Sequence, residues 1–186
     1  MPRFHTWAGH ETPRYVIPTN VALGLTPGKE KRNMKYHKKI RLEGDIYKAV
    51  GSPCFITIRI RENKNIFLNK LLANAFLDLL KMYCRENDVL VYAYCIMPDH
   101  IHLLMSASEK KDIISFVREI KSLFTQIAWS NDYHGVIWQR SFYDHFLRND
   151  EDQNKVANYI LQNPVRKGIV TDWREYQFCG SLVYEL

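Results

Sequence analysis

No stretch of this chain is apolar for long enough to cross a bilayer. The longest uninterrupted run, Val89 to Met97, falls far short of the roughly 20 residues that a spanning helix needs. The N-terminus has no apolar signal-peptide core, because His5, Trp7, His10 and Glu11 follow closely on Arg3. A soluble, cytoplasmic protein is therefore expected, with no membrane partner. Cysteine is scarce, and Cys54, Cys84, Cys95 and Cys179 show no Cys-x-x-Cys spacing. They suit neither a zinc ribbon nor a disulfide framework, so reduced, mostly buried thiols are expected. Internal repeats and low-complexity tracts are also missing.

What the sequence does contain is ordinary globular material. Its 186 residues are 46% hydrophobic and 25% charged, enough to bury a core without a disulfide or a structural metal. Lys and Arg number 26 against 20 Asp and Glu, a net charge of +6. That balance leans towards a polyanionic partner such as nucleic acid, although many basic proteins bind none. Residues 1–45 differ in texture, holding Pro2, Pro13, Pro18 and Pro27 and a basic run from Lys29 to Arg41. They read as an irregular arm whose charge is either a solvated face or a phosphate contact, and residues 46–186 read as the folded domain.

From Pro53 onwards the hydrophobic pattern sharpens. Cys54 to Ile60 is β-branched and aromatic and predicts a strand. Phe67, Leu68, Leu71, Leu72, Ala75, Phe76, Leu79, Leu80 and Tyr83 recur at helical spacing. Val89 to Met97 predicts a buried strand, Pro98-Asp99 a tight turn, and His100 to Met105 a strand returning as a hairpin. A helix follows from about Lys111 to Ser130, then a strand region from Val136 to Arg148. A last helix runs from about Glu151 to Asn163, where Pro164 stops it. The order predicts an α+β fold, a ferredoxin-like split βαβ unit with an antiparallel sheet and helices on one face.

Two segments carry chemistry. In Met97-Pro98-Asp99-His100-Ile101-His102, a strand turns His100 and His102 to one face while Ile101 enters the core. Two imidazoles side by side suit a divalent metal, which needs at least one further ligand, or they are simply structural histidines. Asp99 is expected to shape the turn. In Asn158 to Gly168, Tyr159 and Asn163 lie four apart on one helix face, with Gln162 close by. Tyr159 reads equally as a tyrosine capping the core, and Asn163 as a helix stop. Zinc-peptidase His-Glu-x-x-His is absent. Paired His-x-Thr/Ser motifs are absent too, and Leu104 stands where a histidine triad needs its third histidine.

Taken together, the strand His-Ile-His after Met-Pro-Asp and the helical Tyr-Ile-x-x-Asn-Pro-Val-Arg about sixty residues on resemble the single-tyrosine HUH transposases. The closer resemblance is to their REP-associated branch, and it covers roughly residues 50 to 181. Val136 to Arg140, Phe142 to His145 and Trp173 to Tyr176 support it. The resemblance implies a metal-dependent single-stranded DNA endonuclease and strand transferase that forms a 5′-phosphotyrosine. Tyr159 would be its nucleophile on a catalytic C-terminal helix. It implies that His100 and His102 bind Mg²⁺ or Mn²⁺ with Asn163 as third ligand, and Gln162 is the fallback. The arm at 1–45 has no counterpart in that family.

The basic residues Arg140, Arg148, Lys155, Arg166 and Lys167 flank the two motifs and are expected to contact DNA phosphates. Of Asp144 and His145, adjacent on one strand, at most one is expected to reach the site. Tyr133, Trp138 and Tyr143 are expected mostly in the core rather than stacking on bases. The partner implied is single-stranded or hairpin DNA, bound by a monomer, with a homodimer as the alternative. A non-cutting DNA-binding protein of the same fold is the competing function.

Overall fold

The computed structural model describes residues 44–148 and 150–185. The arm expected at 1–45 therefore lies outside the described residues, apart from Gly44 and Asp45, which open a 3-10 turn over Gly44–Lys48. In chain order the main elements are β1 (Cys54–Arg59), α1 (Lys70–Glu86), β2 (Leu90–Met97), β3 (His100–Ser106), α2 (Ile113–Trp129), β4 (Tyr143–Phe146), α3 (Gln153–Leu161), α4 (Asn163–Arg166) and β5 (Cys179–Gly180). The three long helices each start on a side chain that accepts a backbone N–H of the first turn. Asn69 accepts from Leu71, Asp112 from Ser115 and Asp152 from Asn154.

The strands form one sheet in the order β4-β1-β3-β2-β5, with every neighbouring pair antiparallel. The first four strands have the ferredoxin-like order that two interleaved β-α-β units produce. One face carries Ile56, Ile58, Ile96, Ile101 and Leu103, buried against Phe76 and Leu80 of α1 and Phe116, Ile120 and Phe124 of α2. Alternation along the strands sends Phe55, Thr57, Arg59, Cys95, Met97, His100, His102 and Leu104 to the other face.

The expectation of helices on one face holds for α1 and α2, whereas α3 covers the opposite face. Ala93, Cys95, Met97 and Leu104 form a second apolar patch there, and Ala157 and Ile160 of α3 close over it. A sheet apolar on both sides needs a cover on both sides, so α3 lies over the face that carries the two histidines.

Three further details depart from expectation. The strand region at 136–148 is regular only over Tyr143–Phe146; ahead of it Trp138 makes an isolated antiparallel bridge to Ile60 and buries its indole among Phe67, Phe76 and Phe124. The last long helix, α3, does stop ahead of Pro164, at Leu161, but Pro164 then sits in the first turn of a further short helix, α4, where a missing N–H costs little. Cys95 and Cys179 are joined across β2 and β5, while Cys54 and Cys84 are free and buried. The joined pair lie directly opposite in register, a proximity that sequence spacing does not reveal. Gly180 of β5 passes so close to Tyr94 that an added Cβ would meet its phenolic oxygen at 3.0 Å. Among the described residues no helix is long and apolar enough to cross a membrane.

Candidate active site

β3 delivers His100 and His102 to the α3 face with their Nε2 atoms 3.1 Å apart. Two ligands of one ion with bonds of about 2.1 Å would stand roughly 3.0–3.4 Å apart, so the pair is spaced as adjacent donors are. Each ring is fixed from behind. His100 Nδ1 donates to Asp99 Oδ1 at 2.6 Å, and His102 Nδ1 meets Thr57 Oγ1 at 2.9 Å. Asp99 is therefore more than a turn residue. The backbone of its turn is held by N–H donors from Ile60 to the Asp99 carbonyl and from Phe67 to the Pro98 carbonyl, and its carboxylate reaches the ring.

The pair is buried, at 5% and 7% exposure, and its surroundings keep it uncharged. Burial pushes the His100 imidazole below its ordinary value against the pull of Asp99, and Arg59 and Lys167 push the same way. Burial first, then His100, Arg59 and Arg166, take His102 down to about 3. Neutral imidazoles are the metal-binding form. The tautomers also fit. A carboxylate can only accept, so His100 Nδ1 carries its hydrogen and Nε2 its lone pair. Without an ion, His102 Nε2–H donates to that lone pair while Nδ1 accepts from the Thr57 hydroxyl. Were an ion bound at Nε2, the proton would sit on Nδ1 and donate to Thr57, because a hydroxyl serves in both roles.

Among the described residues no group of three His, Cys, Asp or Glu side chains is arranged to hold an ion. A third protein donor must therefore be of another kind, and Asn163 is suited by its chemistry. Pro164 has no N–H to bond the Ile160 carbonyl, and Asn163 Nδ2 takes that place at 3.3 Å while also donating to the Tyr159 carbonyl at 3.2 Å. Only the amide nitrogen can donate to carbonyls, so Oδ1 is the atom left for a ligand. Gln162 caps the helix junction with its backbone.

Tyr159 projects from α3 beside this pair. Its ring centroid is 6.4 Å from that of His102 and 6.2 Å from that of Phe55, and the residue is 48% exposed. The Arg166 guanidinium lies over the ring at 3.9 Å.

The structure thus gathers His100, His102, Tyr159 and Asn163 with Arg166 and Lys167, and it adds Thr57 and Arg59 from β1. Lys155 is exposed on α3 one turn before Tyr159, whereas Arg140 and Arg148 are exposed at either end of the β4 region. His145 shares the site face but is bound to Glu151 at 2.9 Å, and Asp144 turns away to accept from Tyr47. Trp138 is core, whereas Tyr143 is exposed on the site face, 6.0 Å from Phe55. Thr57 and Arg59 escaped sequence reading. Their signal was the polar alternation within β1, but only the β1–β3 register, pairing Thr57 with His102 and Arg59 with His100, gives it meaning.

Comparison with known proteins places the chain in a family. The family model described as "Transposase IS200 like" matches residues 55–163, which run from Phe55 to Asn163. A REP-associated tyrosine transposase of Escherichia coli K12 is 29% identical over 134 residues, covering 68% of this chain and 76% of its own. A Haemophilus influenzae Rd protein that carries the same designation provisionally is 31% identical over 150 residues, covering 73% of this chain and 85% of its own. A solved REP-associated tyrosine transposase bound to a REP hairpin superposes with a TM-score of 0.60 at 27% identity, over 76% of this chain and 81% of that one. Matched by the family model over more than half of its length and by a relative at 31% identity, this chain belongs to the IS200-like transposase family.

Proposed function

We propose that this chain cuts and rejoins single-stranded DNA bearing hairpins, through a 5′-phosphotyrosine formed on Tyr159. The observation that carries the reading is the neutral His100–His102 pair, its Nε2 atoms 3.1 Å apart, beside a half-exposed tyrosine. The hairpin carried by the solved relative supports hairpin DNA as the substrate class. His100, His102 and Asn163 are the residues to hold Mg²⁺ or Mn²⁺. A bound ion would neutralise the scissile phosphate and polarise its phosphorus.

The protein's own groups do the rest. Arg59, Arg166 and Lys167 surround the site with positive charge and draw in a phosphate, while Lys155, Arg140 and Arg148 extend the basic surface outwards. Tyr159 Oη attacks phosphorus in line, its proton departs, and the 3′-oxygen of the preceding nucleotide leaves and takes up a proton. The phosphodiester bond becomes a phosphotyrosine bond of similar transfer potential. A second 3′-hydroxyl can therefore reverse the step and join a new strand.

The test is incubation of the full chain with hairpin-bearing single-stranded oligonucleotides and Mg²⁺ or Mn²⁺, followed by a denaturing gel. A protein–DNA band that resists denaturation is expected. Tight hairpin binding without any adduct in either metal would refute the reading in favour of a non-cutting DNA-binding protein.

A further inference from the structure

Of the described basic residues near the site, Arg166 is the one in contact with the tyrosine, and it touches it twice. Its Nη1 donates to the Tyr159 carbonyl at 2.9 Å, and its guanidinium carbon lies 3.9 Å from the centre of the Tyr159 ring. Resting on the reading of Tyr159 as nucleophile, we infer that Arg166 is the positioning residue for that tyrosine, a clamp on its backbone and its ring, as well as a charge beside the DNA.

The helix junction explains why a clamp is needed. Because Pro164 lacks an N–H, the ladder bond to the Ile160 carbonyl is missing one residue after the nucleophile. Asn163 Nδ2 stands in at the Ile160 carbonyl, and the neighbouring Tyr159 carbonyl accepts from both Asn163 Nδ2 and Arg166 Nη1, which ties the nucleophile's backbone to α4 across the gap. Seven residues separate Tyr159 and Arg166, close to two helical turns of about 3.6 residues each, so the short α4 brings the guanidinium back over the ring.

The ring has little else to hold it. Phe55 and His102 meet it edge-on, at 6.2 and 6.4 Å, and nearly half of the residue is open to solvent. A tyrosine so exposed samples several staggered rotamers, whereas in-line attack requires one. A planar guanidinium stacked on the ring selects among them. One of its five N–H donors is used on the carbonyl, so the fork keeps donors for a phosphate arriving at the tyrosine oxygen. Lys167 makes a useful contrast. It is exposed and its charge acts on His100, but no contact to Tyr159 accompanies that charge.

The two roles of Arg166 separate in Arg166→Lys, which keeps the charge but loses the planar fork, and in Arg166→Gln, which loses both. Hairpin affinity and single-turnover adduct formation at saturating DNA are measured for each variant of the full chain. The DNA-free protein, labelled with 3-fluorotyrosine, is also compared by fluorine NMR, with Tyr159→Phe assigning the resonance. Clamping predicts that Arg166→Lys binds hairpin DNA almost as the wild type does, yet forms adduct about 10- to 100-fold more slowly. It also predicts a narrower Tyr159 fluorine line in both variants as the ring is released. A wild-type adduct rate in Arg166→Lys, or a loss in Arg166→Gln that saturating DNA restores, would overturn the inference and leave Arg166 a phosphate contact. Should the wild type form no adduct, the functional reading fails by itself. The fluorine line then decides the clamp alone, and an unchanged linewidth in both variants refutes it.

Discussion

Acid should unfold this protein by way of His102, and the size of the effect can be worked from the site. The folded state holds its imidazole at about 3, against 6.5 for the free group, chiefly because it is buried. Between those values the unfolded chain carries a proton on His102 that the folded chain does not. Stability contributed by the neutral ring is therefore fully present above about pH 6.5 and is lost as pH falls towards the folded value. One proton of difference is about 1.4 kcal/mol per pH unit and half a proton applies at pH 6.5 itself, so acidifying from about pH 7.5 to about pH 4.5 removes about 3 kcal/mol through this residue. His100, also held below its ordinary value by burial, adds in the same direction. Carboxylates titrate over part of this range as well, and a His102→Asn variant cancels their share. Urea unfolding with EDTA present, followed at several pH values, should show the two proteins converging by about 3 kcal/mol on acidification. Parallel curves would refute the claim that His102 is buried in its neutral form.

Thr57→Val should leave the fold intact but remove the group that lets His102 exchange tautomers, lowering Mn²⁺ affinity about 10- to 100-fold by calorimetry. Asn163→Ala should slow cleavage and recover part of it at higher Mg²⁺ or Mn²⁺, since the two histidines remain; cleavage at wild-type rate and metal dependence would remove Asn163 from the ligand set. Lys155→Ala with Lys167→Ala should weaken hairpin binding across sequences and make its salt dependence shallower by roughly one unit of slope per lost phosphate contact. An unchanged slope would place both lysines off the DNA path.

Much of the site was legible because strand alternation and helical spacing are local rules. The Ile101 side chain among core residues forces His100 and His102 to the opposite face together, and counting residues puts Asn163 one turn after Tyr159, although the two fall on either side of the α3–α4 junction. The partners of those side chains were hidden, because they depend on register between strands distant in sequence. Thr57 reaches His102 across 45 residues, and nothing in Cys54 to Ile60 announces which strand will lie beside it. Asp99 looked like a turn residue because Pro-Asp is turn chemistry, and it is one, but the same turn aims its carboxylate at His100. The α3 face followed from a competition that sequence patterns do not settle. A helix with a few buried residues packs wherever an apolar surface lies uncovered, and here that surface was Ala93, Cys95, Met97 and Leu104. The two-residue strand β5 and its Cys95–Cys179 link arise from the same kind of long-range pairing.

The central claim is that Tyr159 forms the covalent bond to DNA. The most direct measurement is peptide mass spectrometry of the denatured adduct, made with the wild type, Tyr159→Phe and Tyr143→Phe in parallel. Removing one phenolic oxygen keeps the ring that Arg166 and Phe55 contact, so hairpin binding should be nearly unchanged in Tyr159→Phe. The account predicts DNA attached to the peptide containing Tyr159 in the wild type and in Tyr143→Phe, and no adduct in Tyr159→Phe. An adduct that persists in Tyr159→Phe would contradict it and move the nucleophile elsewhere, first to Tyr143, which stands on the same face 6.0 Å from Phe55.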